Sequence, residues 1–172
     1  MVNIVDMVGH FMTPYPVLYL DYDGPLHDDD VYWHPRRGVF IRTPGAVLFE
    51  HMPILESLLA PHPSVRIVLA TSWVAARGFS YARRRLSPAL QQRVVGATYH
   101  SWMNQSDFFA MPRGNQILAD VRRRRPRTWL ALDNDPAGPA EYQERLILTD
   151  DRNGLSDPKV QDTLRERLER DL

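Results

Sequence analysis

The chain has 172 residues, of which 44% are hydrophobic and 24% are charged. That length and apolar content suit one globular domain of about 100–200 residues and argue against an intrinsically disordered chain. The sequence contains no cysteine, which excludes disulfides, thiolate nucleophiles and cysteine-bound metal centres. No apolar run reaches the ~18 residues of a membrane span, and no basic signal-peptide region opens the chain, so we expect a cytoplasmic protein with no membrane partner.

The formal net charge is zero, but the charges are segregated along the chain. Residues 60–130 contain two acidic and twelve basic residues, a charge of +10, whereas residues 1–59 and 131–172 each carry −5. Nearly all of the basic residues are arginines, and runs of them occur at 83–85 and 122–125. Such runs are usually solvated helix faces, and the alternative interpretation is a surface for a phosphate-rich partner.

The first predicted elements are a buried strand and a flap. Val17–Tyr22 is an apolar, β-branched and aromatic run with prolines before it and a Gly-Pro pair after it, which is typical of a buried strand. Residues 24–43 are rich in Pro, Gly and Asp, and they predict a flap region with a β-hairpin around Val31–Trp33 and Val39–Ile41.

Four elements are predicted in the next part of the chain. Apolar residues at spacings of three and four predict an amphipathic helix that opens at Pro44 and Gly45 and ends near Leu59. Val65–Ala70 predicts a second buried strand. A short helix over residues 81–86 and a strand at 94–97 follow.

The last third of the chain continues this alternation. A helix that contains residues 117–121 ends at Pro126, and Thr128–Leu132 predicts a further strand. Leu146–Leu148 predicts one more strand. The C-terminal helix is expected to begin at Asp157, a good N-cap residue, with a proline in its first position.

Alternating short buried strands and helices predict an α/β domain with an open, mainly parallel, Rossmann-like sheet and helices on both faces. We expect a single domain over residues 1–172, with residues 1–16 as an N-terminal extension and minimal or no cap. In such sheets the ligand site lies beyond the carboxyl ends of the strands. The polar residues that follow the predicted strands are therefore candidate site residues: Asp21, Asp23, Thr71, Ser72, Asp133 and Asp135.

The carboxylates in this set point to a metal. Four carboxylates at one sheet edge repel each other unless a cation lies among them. Hard oxygen ligands favour Mg²⁺, and the predicted metal ligands are Asp21, Asp23, Asp133 and Asp135. Hydrogen-bond donors for a phosphoryl group would come from Arg113 and from Thr71 or, since strand ends are uncertain by a residue, from Ser72, whose other role would be to cap the next turn. Together these groups favour phosphoryl transfer.

The motifs resemble those of the haloacid dehalogenase (HAD) superfamily. The DYDG run at 21–24 is similar to the first motif, Thr71 to the second, Arg113 to the third, and the pair Asp133 and Asp135 to the acidic fourth motif. More narrowly, the runs LYLDYDGPLH, VRIVLATSW, VVGAT, WLALDND and LILTDDRNGL resemble the HAD domain of Swiss Army Knife RNA repair proteins.

This resemblance implies a phosphatase in which Asp21 is the nucleophile that forms an aspartyl-phosphate and Asp23 is the general acid and base. It also implies Mg²⁺ as cofactor, held by Asp21, the backbone carbonyl of Asp23, and Asp133, with Asp135 in the metal shell. Thr71 and Arg113 would hold the oxygens of the phosphoryl group.

The substrate is the open part of this interpretation. An uncapped site suits a phosphate at the end of a nucleic acid, which the basic segment, defined as residues 60–130, and its aromatic residues would hold. The alternatives are a nucleotide, a sugar phosphate or a phosphoprotein. Pro25 replaces the Thr or Val that is usual in the superfamily and removes a backbone N–H, which motivates a third hypothesis, a phosphate-recognition or interaction module with negligible turnover.

Overall fold

The computed structural model describes residues 14–172, so most of the predicted extension at 1–16 lies outside the described residues. Its centre is a five-stranded, all-parallel sheet with the spatial order β5-β4-β1-β6-β7. The remaining two strands, β2 and β3, pair with each other as an antiparallel hairpin. In chain order the strands are β1 (Val17–Leu20), β2 (Val31–His34), β3 (Gly38–Ile41), β4 (Arg66–Leu69), β5 (Val94–Ala97), β6 (Trp129–Asp133) and β7 (Leu146–Leu148).

Helices connect the strands of the central sheet. In chain order they are α1 (Met52–Leu59), α2 (Ser72–Arg77), α3 (Phe79–Arg83), α4 (Pro88–Arg93), α5 (Gln105–Ala110), α6 (Arg113–Arg124), α7 (Ala140–Gln143) and α8 (Pro158–Asp171). None of the helices in residues 14–172 is both long enough and apolar enough to cross a membrane.

The core has two layers, one on each face of the sheet. Successive residues of a strand point to opposite faces, so a fully buried strand contributes to both. On one face, Leu18 and Leu20 of β1 cluster with the buried leucines of α1 and α8. On the other face, Val17 and Tyr19 cluster with buried residues of α6 and α7. The predicted Rossmann-like sheet with helices on both faces is confirmed.

The helix predicted to open at Pro44 and Gly45 begins later than expected. The structure has turns over this stretch, and α1 starts at Met52. Gly45 and Phe49 have φ angles of 86° and 63°, which lie in the left-handed region and are incompatible with a continuous helix. Val47, which fitted the helical spacing, is 60% exposed.

Short helices were the elements that the sequence located least well. A helix lies at Phe79–Arg83 rather than at 81–86, and α2, α4, α5 and α7 have only four to six residues each, too few to show a helical period. The start of α8 is as predicted. Asp157 is its N-cap, with a side chain that accepts the N–H of Lys159 at 2.9 Å, and Pro158 is the first helical residue.

Candidate active site

Two carboxylates lie side by side at the carboxyl edge of the sheet. β1 and β6 are neighbours, and Leu20 pairs with Leu132. The residues that follow this pair are Asp21, whose N–H donates to the Leu132 carbonyl at 3.1 Å, and Asp133. Asp21 is 3% exposed and Asp133 is completely buried. Parallel pairing of two buried strands thus brings these two acids together.

Arg113, the first residue of α6, joins both acids. Its Nη2 lies 3.2 Å from Asp21 Oδ2, and its Nε lies 3.2 Å from Asp133 Oδ2. The Nη1 atom donates to the carbonyl of Ala70, directly after β4. One guanidinium therefore ties together the ends of β4, β1 and β6, the three central strands.

The electrostatics of this centre follow from burial and from the shared cation. Burial raises the pKa of Asp133 well above its usual range, and the nearby Asp21 raises it further, while Arg113 partly opposes both effects. Burial also raises the pKa of Asp21, against the attraction of Arg113. Burial disfavours the charge of Arg113, but the two carboxylates together raise the pKa of its guanidinium. Because only one guanidinium balances the two acids, a second positive charge at this centre would be favourable.

A buried oxygen of Asp133 marks where that charge would fit. Asp133 Oδ1 accepts the N–H of Asp135 at 3.0 Å, whereas Oδ2 accepts no hydrogen bond from residues 14–172. Its approach to Arg113 Nε is close but not aligned as a hydrogen bond. An unsatisfied buried polar atom is costly. Mg²⁺ commonly binds one or two carboxylates and keeps several waters, so the pair Asp21 and Asp133 suits that ion.

The predicted set of four metal-binding carboxylates is not assembled. Within the described residues, no group of three or more acidic or histidine side chains is placed to hold a metal ion. Asp135 Oδ1 instead accepts the N–H of Ala137 at 2.8 Å. The spacing of two residues aligns side chains only while the backbone stays extended. The chain turns after Asp21, where Gly24 has a φ of 88°, and it also turns after Asp133.

Asp23 has its own partners, which the sequence analysis missed. Trp73 Nε1 donates to the Asp23 carboxylate at 2.9 and 3.1 Å, and His27 Nε2 lies 3.0 Å from Oδ1. The N–H of Phe49 donates to His27 Nδ1 at 3.2 Å, which leaves the ring proton on Nε2, facing Asp23. Both side chains are buried, so they fix the orientation of this carboxylate. The only local signal was the position of His27, four residues after Asp23.

Thr71 and Ser72 play different parts. The Thr71 hydroxyl accepts the N–H of Trp73 at 3.3 Å as the N-cap of α2, so the capping role expected of Ser72 belongs to Thr71. The same hydroxyl hydrogen-bonds to Asp21, one of the interactions that offset the burial of that carboxyl and lower its pKa. Ser72 faces a cleft beside Asp23. The geometry thus places Thr71, not Ser72, beside Asp21.

The arginine runs are partly internal. Arg83 donates through two nitrogens to the carbonyl of Gln91, at 3.2 and 3.0 Å. Arg123 and Arg124 form ion pairs with the fully buried carboxylate of Asp120. These arginines hold helices in place, so fewer side chains of the two runs remain for the alternative interpretation, a surface for a phosphate-rich partner.

The fold and the site together define a class. A parallel sheet with a DxD run after β1, a threonine after β4, an arginine that opens α6 and an acid that ends β6 is the arrangement of a HAD-type domain, a class of phosphatase-like hydrolases. The chain belongs to the family described as the HAD domain in Swiss Army Knife RNA repair proteins, whose family model matches residues 17–160. No curated protein and no solved structure matches the chain.

Proposed function

We propose that the chain is a Mg²⁺-dependent phosphomonoester hydrolase that removes the terminal phosphate of a nucleic acid. The observation that carries this proposal is the bridge from Arg113 to Asp21 and Asp133. The bridge holds a buried carboxylate rigidly at the open edge of the sheet, next to the Thr71 hydroxyl. A fixed, desolvated carboxylate with cationic and hydroxyl partners is suited to attack on a phosphoryl group.

In the proposed reaction, a carboxylate oxygen of Asp21 forms a bond to phosphorus while the bond from phosphorus to the leaving oxygen breaks. Asp23 gives its proton to that leaving oxygen. The carboxylate of Asp23 then takes a proton from water, and the water oxygen forms a bond to phosphorus while the bond from phosphorus to the Asp21 oxygen breaks, which releases inorganic phosphate and restores the Asp21 carboxylate. Mg²⁺ held by Asp21 and Asp133 would neutralise charge on the phosphoryl oxygens.

The different exposure of Asp21 and Asp23 supports these separate roles. The side chain of Asp21 is 4% exposed, which protects a covalent intermediate from random hydrolysis, whereas that of Asp23 is 25% exposed. His27 and Trp73 hold Asp23 in one orientation while it remains open to the cleft. A proton donor and acceptor needs this contact with the leaving group and with water.

Two observations favour a nucleic-acid end over a small substrate. The family to which the chain belongs is described by its occurrence in RNA repair proteins. The insert between β1 and α1 is a two-stranded hairpin, and the insert between β4 and β5 consists of three short helices. Neither insert has the size of a domain that could enclose a small molecule, and an open site is accessible to a polymer end.

The test is a panel of phosphorylated substrates assayed for phosphate release with Mg²⁺ and with EDTA. The panel contains oligonucleotides phosphorylated at either end, mononucleotides, sugar phosphates and a phosphopeptide. We expect Mg²⁺-dependent release that is fastest from an oligonucleotide, with an affinity that falls with salt at a log-log slope of about −0.7 per contacted phosphate.

Asp21→Asn is the inactive variant for this panel, and Asp162→Asn, at a side chain that is 76% exposed on α8, is its matched control. Faster release from a small phosphate or a phosphopeptide would overturn the nucleic-acid assignment. Phosphate binding without any release would favour the recognition module that Pro25 suggests.

A further inference from the structure

A cleft of about 200 Å³ opens beside Asp23, between the β2–β3 hairpin and α2. We call it the hairpin cleft. Trp33 and Val39 line it from the hairpin, and Trp73 and Arg77 line it from α2. Any group that occupies the hairpin cleft lies next to the carboxylate proposed to protonate the leaving oxygen. The cleft is therefore positioned to bind the part of the substrate that remains after the phosphate has left.

Exposed aromatic rings line the hairpin cleft, and guanidinium groups pack against these rings. Trp33 is 52% exposed and Tyr32 is 42% exposed, unusual values for such large apolar side chains. The Arg77 guanidinium lies 4.2 Å from the centre of the Trp33 ring, and that of Arg42 lies 3.7 Å from the centre of the Tyr32 ring. Aromatic faces with adjacent arginines are the surfaces on which proteins stack nucleic-acid bases.

The size of the hairpin cleft limits what it can hold. Pockets for complete drug-sized ligands occupy roughly 300–1,000 Å³. At about 200 Å³ and open to solvent, this cleft accommodates one ring system, with the rest of a larger substrate outside. That geometry fits a single base at the end of a strand better than a folded protein segment.

The charges around the hairpin cleft indicate the direction in which the rest of a nucleic-acid strand would leave the site. The loop before β2 is acidic, and burial together with Asp151 raises the pKa of Asp29 there. The turn of the hairpin carries Arg36 and Arg37, both exposed. A polyanion is repelled at the acidic loop and attracted at the hairpin turn, so the strand would leave the site over the hairpin.

We infer that the hairpin cleft is the subsite for the base of the nucleotide that carries the scissile phosphate, with Trp33 as its stacking surface and Arg77 beside it. The inference rests on the proposed function, because it takes the substrate to be a phosphorylated nucleic-acid end. It also places recognition of the base on Trp33 of the hairpin rather than on an aromatic residue of the basic segment. Trp73, which belongs to that segment, is only 5% exposed and donates to Asp23 instead.

The test measures binding in the Asp21→Asn variant, so it does not depend on turnover. The ligands are two short oligonucleotides with the same terminal phosphate, one with a base on the phosphorylated nucleotide and one abasic at that nucleotide. We expect the abasic ligand to bind about tenfold more weakly. Adding Trp33→Ala should weaken binding of the first ligand by the same factor and leave the abasic ligand unchanged.

Trp102→Ala is the matched control, because Trp102 is 74% exposed and does not line the hairpin cleft. It should leave both dissociation constants unchanged. In the active protein, Trp33→Ala should raise KM for the oligonucleotide and leave kcat unchanged. If Trp33→Ala does not fold, Trp33→Phe and Trp33→Leu replace it, since both keep apolar packing but only Phe keeps a stacking ring.

Equal affinity for the two ligands would overturn the inference, as would a loss caused by Trp102→Ala and not by Trp33→Ala. No binding of any oligonucleotide, together with phosphate release from small substrates, would overturn both the base subsite and the nucleic-acid assignment while leaving the hydrolase in place. Base-dependent binding without turnover would support the base subsite and contradict the hydrolase.

Discussion

The carboxylate centre and the hairpin cleft lie next to each other but are built in opposite ways. Asp21 and Asp133 sit at the ends of buried parallel strands, with one buried guanidinium between them. The hairpin cleft is formed by a separate two-stranded ribbon whose tryptophan and tyrosine are about half exposed. The proposed function therefore assigns the chemistry to the buried strand ends and the recognition to the more exposed hairpin, which packs against the core through Val31 and Val39.

Their ion pairs show the same contrast. Arg113 is 14% exposed and joins three strand ends, so removing either of its acidic partners changes the charge balance of a desolvated site. Arg42 and Asp30 pair at 2.9 Å on the hairpin, but their side chains are 56% and 32% exposed, and water screens such a pair. The Arg113 bridge therefore fixes the relative positions of the strand ends, whereas the pair of Arg42 and Asp30 constrains the hairpin only weakly.

The largest expected effect tests whether chemistry belongs to the carboxylate centre. Asp21→Asn should lower phosphate release from the best panel substrate by about 10³-fold or more, because an amide cannot form the covalent intermediate. Thermal unfolding and circular dichroism should show a folded variant, since one buried acid fewer reduces repulsion. Activity near that of the wild type would contradict the covalent mechanism.

The next effect concerns stability. Leu20→Ala, in the completely buried β1, should lower the free energy of unfolding by about 3 kcal/mol, since it leaves a cavity in a packed core. Tyr32→Ala, in the hairpin, should change it by no more than about 0.5 kcal/mol. Urea unfolding measures both values. Similar losses would show that the hairpin is part of the core after all.

A smaller effect depends on pH. The folded-state pKa of Asp133 lies well above its ordinary 3.8, so this acid costs no stability below that value and an increasing amount as pH rises towards the folded pKa. Asp133→Asn should therefore raise the melting temperature at pH 7.5 in EDTA by about 2–4 °C and by less at pH 4.

Asp162→Asn is the matched control for this measurement, because its carboxylate is exposed on α8. It should show no pH-dependent gain. A gain for Asp133→Asn that shrinks as the pH rises would contradict the assignment of a charge penalty to the buried pair.

The smallest expected effect tests whether the nucleic acid contacts the hairpin or the basic segment. If the strand leaves over the hairpin turn, Arg36→Gln should make the salt dependence of oligonucleotide binding shallower by about 0.7 in the log-log slope. Arg84→Gln, at an exposed arginine of the 83–85 run, should leave the slope unchanged. The reverse result would place the polyanion on the basic segment.

The strands of the sheet, and the edge at which the site lies, can be predicted from local sequence patterns. Apolar runs of four to six residues mark strands because a strand buried on both faces needs apolar residues at every position. The apolar runs at 17–20 and 129–132 could therefore be assigned as strands from the sequence, and the acids that follow them, Asp21 and Asp133, had to lie at the carboxyl edge of the sheet. The order of the motifs and the family were predicted from the same short stretches of sequence, and the family model that matches residues 17–160 confirms the family.

The roles of the polar groups at that edge depend on contacts between residues that are far apart in the chain. Arg113 and Asp21 are 92 residues apart, and Trp73 and Asp23 are 50 apart, so no local pattern contains these contacts. The carboxylate pattern grouped all four acids as ligands of one metal, because spacing alone does not show where a backbone turns, and only the resemblance to the HAD superfamily gave them different roles. Packing of α2 and α6 against the strand ends gave Asp21 and Asp133 a shared arginine, and Asp23 a tryptophan. A side chain's role in a site depends on which distant elements pack beside it, because hydrogen bonds and ion pairs act over a few ångströms of space and not along the chain.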